Sequence, residues 1–127
     1  MNAKNTKPFE ILNSWQQHLN DENLSGILKL YDISCVLIPT FSPEILTDQE
    51  QIKEYFVNVI EVQKGKVEFQ LNSISEQEVG KNIYLVSGKY FFYLMEKEKI
   101  PARFSFIVNL LSENPIIHHH SSRRISN

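Results

Sequence analysis

The sequence predicts an α+β fold in which helices pack on one face of a strongly curved antiparallel sheet. Up to about Lys66, apolar residues recur at three- and four-residue steps, which is the period of amphipathic helices. From Val67 onward, long runs of strand type alternate with short polar links. Helices that come before the strands in this way favour separate helical and sheet layers over a parallel sheet built from βαβ units.

Three helices are predicted in the first half of the chain. The first spans about 9–19, where Pro8 suits a first helical turn and Trp15 lies on the apolar stripe. A shorter second helix carries its apolar stripe as far as Tyr31. The third begins at Thr47-Asp48-Gln49-Glu50, an S/T-x-x-E sequence whose end side chains satisfy free backbone N–H groups.

One short strand and four long strands are predicted. The short strand, 35–38, stops at Pro39. The long strands are 67–78, 83–96, 100–111 and 116–122. Their connections are short, polar and of hairpin length, so these strands are expected to form an antiparallel meander.

Composition limits the possible classes of function. The 127 residues predict one domain, 1–127, with a core of about 8–122 and a polar tail at 123–127. The net charge of −2 argues against nucleic acid or an anionic membrane surface as partner. A single Cys35, a polar start and the lack of any apolar run near the ~20 residues that cross a bilayer favour a cytoplasmic protein.

The order of these features resembles a known superfamily. Trp15, Tyr31, a short strand, the Thr47 helix and strands containing PARFSFIVNLL and IIHHHSS are similar to the nuclear transport factor 2-like (NTF2-like) superfamily. Within it, the sequence most resembles the association (hub) domain of calcium/calmodulin-dependent protein kinase II and its free-standing, SnoaL-like bacterial relatives. The resemblance implies a cone-shaped fold with a concave pocket and a convex face used for self-association. Because the superfamily includes isomerases, dehydratases, cyclases and non-catalytic hubs, the fold does not decide the function.

Arg103 is the most informative charged residue, because it lies in the middle of an apolar strand, where a buried guanidinium needs a partner. By alternation it shares a face with Ser105, opposite Phe104 and Phe106. The resemblance implies that Arg103 points into the pocket, where its planar fork would bind a small carboxylate or another polar ligand. A salt bridge or an exposed edge position is the structural alternative.

The three consecutive histidines divide between the two faces of the last strand. His118 and His120 project to one side and His119 to the other. A same-face pair lacks a third ligand at suitable spacing, so neither a metal nor another cofactor is expected. The resemblance places Ser121, and therefore His119, in the pocket, which leaves His118 and His120 on the association side.

Three functional hypotheses follow, and the last of them is a purely structural adaptor whose pocket is only a cavity. In the first, the protein is a non-catalytic, self-associating ligand-binding domain, with Trp15, Tyr31 and Tyr90 in the pocket wall. In the second, it is a SnoaL- or ketosteroid isomerase-like enzyme in which His119 or Asp32 is the base for proton transfer or dehydration. The predicted pocket strands 87–94 and 102–110 contain no Asp or Glu, which favours the first hypothesis.

Self-association is expected because both faces of the strand around 89–95 are bulky. Phe91 and Tyr93 are predicted to lie beside Phe104 and Phe106 on the face that the helices leave uncovered, joined by His118 and His120. An apolar surface of that size is rarely exposed by a monomer, so we expect a two-fold dimer or a larger homo-oligomer.

Overall fold

A computed structural model describes residues 7–95 and 97–123. The predicted tail, 123–127, lies outside the described residues except for Arg123, and so does residue 96 of the second long strand. The helices are α1 (Pro8–Asn20), α2 (Leu24–Lys29) and α3 (Gln49–Val57), which continues into a π-helical turn (Asn58–Val62). Within the described residues, no helix is long and apolar enough to cross a membrane.

Six strands form one sheet. They are β1 (Tyr31–Ile38), β2 (Lys66–Phe69), β3 (Ser75–Gly80), β4 (Ile83–Leu94), β5 (Glu98–Asn109) and β6 (Ile116–Arg123). The strand order is β1-β6-β5-β4-β2, and β3 also pairs with β4. The predicted strand 67–78 is interrupted by a 3₁₀ turn at Leu71–Ser73, which separates β2 from β3.

The fold is α+β, and the sheet is mixed rather than wholly antiparallel. The β4, β5 and β6 pairings are antiparallel, as predicted, but β1 runs parallel to β6. The short strand is also longer than predicted and begins at Tyr31, which the sequence analysis assigned to the second helix. In the second half of β1, Val36 pairs with His118 and Ile38 with His120.

Local side-chain contacts explain where the helices begin. The backbone N–H of Lys7 donates to the Glu10 carboxylate in the first turn of α1. Asp48, one residue after the predicted Thr47, caps α3, because its carboxylate accepts the N–H of Gln51 at 2.8 Å.

Polar side chains of α1 attach this helix to the backbone of β2, the last strand in the sheet order. The Asn20 amide accepts the N–H of Val67 and donates to its carbonyl, at 2.8 and 2.9 Å, and Gln16 accepts the N–H of Phe69 at 2.9 Å. These bonds connect the helix to β2 at the end of the sheet. They hold Trp15 over the central strands.

The inner and outer faces of β5 are the reverse of the prediction. Phe104 and Phe106 are buried in the core, and Arg103 is exposed on the outer face. The reason is the register of the β4–β5 hairpin, which pairs Tyr90 with Ala102 and Lys89 with Arg103. The assignments of Arg103 to the pocket and of Phe104 and Phe106 to the association face are therefore wrong.

The outer face of the sheet carries both apolar and polar side chains, and many of them are half-buried. Phe91 and Tyr93 lie on it, as predicted, and so do His118 and His120. A row of four side chains runs across this face: Val36 pairs with His118, His118 with Ile107, and Ile107 with Leu85. All of them except His118 are apolar.

Candidate functional site

The inner face of the sheet carries a chain of hydrogen-bonded polar side chains, which we call the buried polar chain. It runs in the order Trp15, Tyr31, His119, Tyr90, Ser121, Thr40. Helix α1 supplies Trp15, the sheet supplies Tyr31, Tyr90, His119 and Ser121, and Thr40 follows β1. Thr40 is half-buried, and the other five side chains are at most 4% exposed, so the core encloses all of the buried polar chain except its end at Thr40.

The hydrogen bond that Tyr90 donates determines which nitrogen of His119 carries the proton. Trp15 Nε1 donates to the Tyr31 hydroxyl at 2.9 Å, and the Tyr31 hydroxyl lies 2.9 Å from His119 Nδ1. The Tyr90 hydroxyl donates to Ser121 Oγ at 2.5 Å and lies 3.2 Å from His119 Nε2. Because the single proton of Tyr90 goes to Ser121, His119 Nε2 must donate to Tyr90, and His119 Nδ1 must accept from Tyr31. His119 is therefore a neutral imidazole protonated on Nε2.

Apolar packing holds the His119 ring in place. Its plane stacks on Phe106, with centroids 3.8 Å apart, and meets the edge of Trp15 at 5.4 Å. Trp15 in turn stacks on Tyr90 at 5.8 Å. Phe106, which the sequence analysis placed outside, is the platform for the imidazole.

Burial shifts the pKa values of the groups in the buried polar chain. The loss of solvation lowers the pKa of His119 well below its usual range, and the neighbouring His118 and His120 act in the same direction. The same loss of solvation raises the pKa of Tyr31 and of Tyr90. All three groups are therefore uncharged at neutral pH. Among the described residues, no buried side-chain nitrogen or oxygen lacks a hydrogen-bond partner.

A small inner cavity adjoins the buried polar chain. Trp15, Tyr90, His119 and Ser121 line one side, and Tyr55, Phe56, Val59 and Phe92 are among the residues that line the other. Its volume is about 10 Å³, close to the space that one water needs. In this conformation the inner cavity is closed to anything larger than a water.

An open surface depression, which we call the mouth chamber, lies outside the inner cavity and shares Tyr55 with it. It has a volume of about 320 Å³ and is lined by Phe41, Ser42, Glu44, Leu46, Gln51, Glu54, Tyr55 and Asn58. Phe41 meets Phe92 edge to face at 5.0 Å, so these two rings and Tyr55 separate the chamber from the inner cavity. Burial raises the pKa of Tyr55, and a hydrogen bond to the Phe41 backbone partly offsets this.

Solved structures with the same architecture include hub-like and dehydratase-like proteins. A candidate calcium/calmodulin dependent protein kinase II association domain from Xanthomonas campestris is 27% identical, with a TM-score of 0.81 over 94% of this chain and 86% of that one. An NTF-2 like protein of unknown function from Shewanella oneidensis is 16% identical, with a TM-score of 0.71 over 90% and 94%. A candidate scytalone dehydratase from Novosphingobium aromaticivorans is 8% identical, with a TM-score of 0.77 over 92% and 81%.

The chain has the NTF2-like, cystatin-like fold. Neither a protein-family model nor a curated protein matches the sequence. In this NTF2-like chain, the structure brings together five of the six residues predicted for the pocket: Trp15, Tyr31, Tyr90, His119 and Ser121. Arg103 is the sixth, and its exposed position on the outer face separates it from them.

Asp32 also lies away from the inner cavity. Its carboxylate accepts two hydrogen bonds from Ser34, at 2.9 and 2.6 Å, and these bonds lower the pKa of Asp32. The side chain caps a local turn, which is the structural role that a carboxylate at the end of a helix commonly takes. Asp32 lines a different, open groove between α2 and α3, so its assignment as the base of this pocket is wrong.

The sequence analysis missed Thr40 and Tyr55. Thr40 ends the buried polar chain through Ser121, and Tyr55 lies between the two cavities. Tyr55 belongs to the apolar stripe of α3, but nothing in that stripe separates it from ordinary core residues. No group of three or more metal-ligating side chains occurs in the part of the chain that the structure describes.

Proposed function

We propose that this protein is a ligand-binding domain whose site is the inner cavity together with the mouth chamber. The main observation in support of this proposal is the buried polar chain. Five of the six side chains are buried in an apolar core, and Thr40 is half-buried. Burying polar side chains costs free energy that apolar residues would not, so the buried polar chain suits a purpose beyond stability. Ser121 and Tyr90 present uncharged hydroxyls at the cavity wall, and the ligand would present an uncharged hydrogen-bonding group to them.

Entry of a ligand requires a small rearrangement at the boundary between the two cavities. The mouth chamber has the volume of a typical small-molecule site, whereas the inner cavity does not. Movement of the Tyr55, Phe41 and Phe92 rings would join the two. Tyr55 follows the first turns of α3 and precedes the π-helical turn, a feature that is frequent at functional sites.

A carboxylate ligand is less well supported than the resemblance suggested. Arg103, its expected anchor, lies on the other face of the sheet. No Lys or Arg is among the residues that line the inner cavity, and His119 is uncharged. A carboxylate placed there would lose its solvation without gaining a cation.

A ligand-binding role for this protein is also better supported than an enzymatic role. A general base needs a free lone pair within reach of the substrate proton. His119 Nδ1 already accepts from Tyr31, and Nε2 faces Tyr90. The remaining predicted base, Asp32, lies in the other groove.

We also propose that the outer face of the sheet mediates self-association as a two-fold dimer. Phe91 and Tyr93 lie there, and the row of Val36, Ile107 and Leu85 gives the face an apolar centre. His118 lies in that row, and His120 lies beside it. An Ile107→Glu variant tests this, with Val62→Glu, at an exposed position on the π-helical turn, as the matched control. Light scattering at micromolar concentration is expected to give a dimer for the wild type and the control and a monomer for Ile107→Glu, and a wild-type monomer would refute the proposal.

Thermal-shift measurements with a panel of small phenols, alcohols and amides test the ligand-binding proposal. A ligand at one hundred times its Kd stabilises the folded state by about 2.7 kcal/mol. We expect stabilisation of the wild type and of Ser105→Ala, whose hydroxyl lies on the outer face. We expect its loss in Ser121→Ala, which removes a hydroxyl from the cavity wall. The absence of any hit, or equal shifts in both variants, would contradict the proposal.

A further inference from the structure

The hydrogen bonds of the buried polar chain all run in one direction from Trp15 to Ser121. Trp15 Nε1 donates to Tyr31, Tyr31 to His119 Nδ1, His119 Nε2 to Tyr90, and Tyr90 to Ser121. Each side chain from Trp15 to Tyr90 therefore uses its polar hydrogen inside the chain. These hydrogens are not free to point into the inner cavity.

The last hydrogen bond of the chain joins the hydroxyls of Ser121 and Thr40. If Thr40 donated, the Ser121 hydrogen would face the inner cavity, where the neighbouring side chains Leu19, Leu37 and Phe56 offer no acceptor. A buried donor without an acceptor costs free energy. The hydrogen of Thr40 can reach solvent instead, because this residue is only half-buried. Ser121 therefore donates to Thr40, and the chain keeps one direction to its end.

Among the described residues at the inner end of the cavity, this arrangement leaves lone pairs but no free hydrogen. A hydroxyl has one hydrogen and two lone pairs. Ser121 Oγ accepts from Tyr90 and donates to Thr40, so one of its lone pairs is unused. The Tyr90 oxygen already accepts from His119. An oxygen that donates its own hydrogen is also a stronger acceptor, because hydrogen bonds in a chain polarise one another.

In the part of the chain that the structure describes, Tyr55 carries the remaining hydroxyl in the lining of the inner cavity. Its hydrogen bond to the backbone of Phe41 places this hydroxyl at the boundary with the mouth chamber. Tyr55 can therefore contact the outer part of a ligand, whereas the inner part meets Ser121 and Tyr90.

We infer that the ligand of this site donates a hydrogen bond to Ser121 Oγ from an alcohol, phenol or amide N–H group. A ketone, an ether or a tertiary amide has only acceptors, so its oxygen would meet the lone pair of Ser121 without gaining a hydrogen bond. Thr40 is a positioning residue, because by accepting the Ser121 hydrogen it keeps that lone pair toward the cavity. The inference rests on the proposed ligand-binding function and adds the hydrogen-bonding class of the ligand.

Cyclohexanol and cyclohexanone are matched probes, since they share a six-membered ring and differ in whether the oxygen can donate. Their dissociation constants are measured by NMR titration of the full chain. One net hydrogen bond corresponds to about a fivefold change in affinity, so we expect cyclohexanol to bind about fivefold more tightly than cyclohexanone. Equal binding, or tighter binding of the ketone, would overturn the inference and leave the ligand-binding proposal standing.

Two variants of Thr40 locate the effect. Thr40→Val keeps the size of the side chain and removes the hydroxyl, so the Ser121 hydrogen becomes free to point into the cavity. It can then donate to the ketone, and the ratio of the two affinities is expected to fall to about one. Thr40→Ser keeps the hydroxyl and should retain the wild-type ratio. An unchanged ratio in Thr40→Val would overturn the inference, because the lone pair of Ser121 would not depend on Thr40.

The tautomer of His119 provides a measurement that needs no ligand. Nitrogen NMR of the full chain is expected to show a protonated Nε2 and an unprotonated Nδ1. A ring protonated on Nδ1 would reverse the direction of the chain and overturn the inference, whatever the probes do. If the tautomer is the expected one, but neither probe binds and the panel of phenols, alcohols and amides gives no hit, the ligand-binding proposal fails and the inference fails with it.

Discussion

Acid should destabilise this protein through His119, in a pH range where most carboxylates stay ionised. His119 is buried as a neutral imidazole, and burial lowers its pKa well below the ordinary value of 6.5. The unfolded chain takes up a proton at His119 as the pH falls through about 6.5, whereas the folded chain does not. The unfolded state therefore binds more protons, so the free energy of unfolding falls as the pH falls.

The size of the effect follows from the linkage relation. One group that titrates only in the unfolded state gives a limiting slope of about 1.4 kcal/mol per pH unit. Integrated from about pH 7.5 to about pH 5.5, with an unfolded pKa of 6.5 and no protonation of the folded state, the loss is about 1.4 kcal/mol. For a domain of this size, that corresponds to a fall in Tm of roughly 4–7 °C.

Urea unfolding at fixed ionic strength and protein concentration measures this loss. The His119→Gln variant lacks the titrating group. Between about pH 7.5 and about pH 5.5, its free energy of unfolding should therefore fall by about 1.4 kcal/mol less than that of the wild type. Burial also lowers the pKa of His118, but that side chain is only half-buried. His118→Gln should therefore retain most of the wild-type dependence. Equal pH dependence in the wild type and His119→Gln would refute the assignment of a neutral, buried imidazole.

Four further substitutions test the packing and the hydrogen bonds. Tyr90→Phe leaves a buried donor on His119 without a partner, so it should lower the free energy of unfolding by about 1–3 kcal/mol in urea titrations. Phe106→Ala should lower the free energy of unfolding by about 3–5 kcal/mol and Phe91→Ala by much less, because only Phe106 is buried in the core. Equal losses would contradict the observed strand faces. Asp48→Ala should cost about 1 kcal/mol through loss of the α3 cap, and an unchanged midpoint of chemical unfolding would show that the cap contributes nothing.

Features that depend on local sequence were predictable. The stripe around Trp15 predicts α1, and the change of period near Lys66 predicts the switch from helices to sheet. The start of α3 was predicted to within one residue, because Thr47 and Asp48 are both good caps and only the fold selects Asp48. The histidine faces also agree with the prediction, since the β6 bulge precedes His118 and leaves the alternation intact from there to Ser121.

The parallel pairing of β1 with β6 was not predictable in the same way. Nothing within 31–38 identifies its partner, because that partner lies at the far end of the chain. The same long-range pairing brings Tyr31 to His119, and so it assembles the buried polar chain. The sequence analysis predicted that these residues lie in the pocket, but only the folded sheet brings them into hydrogen-bonding contact.

The position of Arg103 was decided by the tertiary structure alone. Both faces of β4 carry bulky residues, so alternation could not show which set faces the core. The hairpin register is fixed where Leu94 pairs with Glu98, and Met95, just after Leu94, adopts a positive φ of 55°. One residue more or less between Leu94 and Glu98 would exchange the faces of β5 relative to β4, because side chains alternate with a period of two. The sequence by itself therefore determined the helices, the strands and most members of the site, whereas the hairpin register placed Phe106 under His119 and Arg103 in solvent.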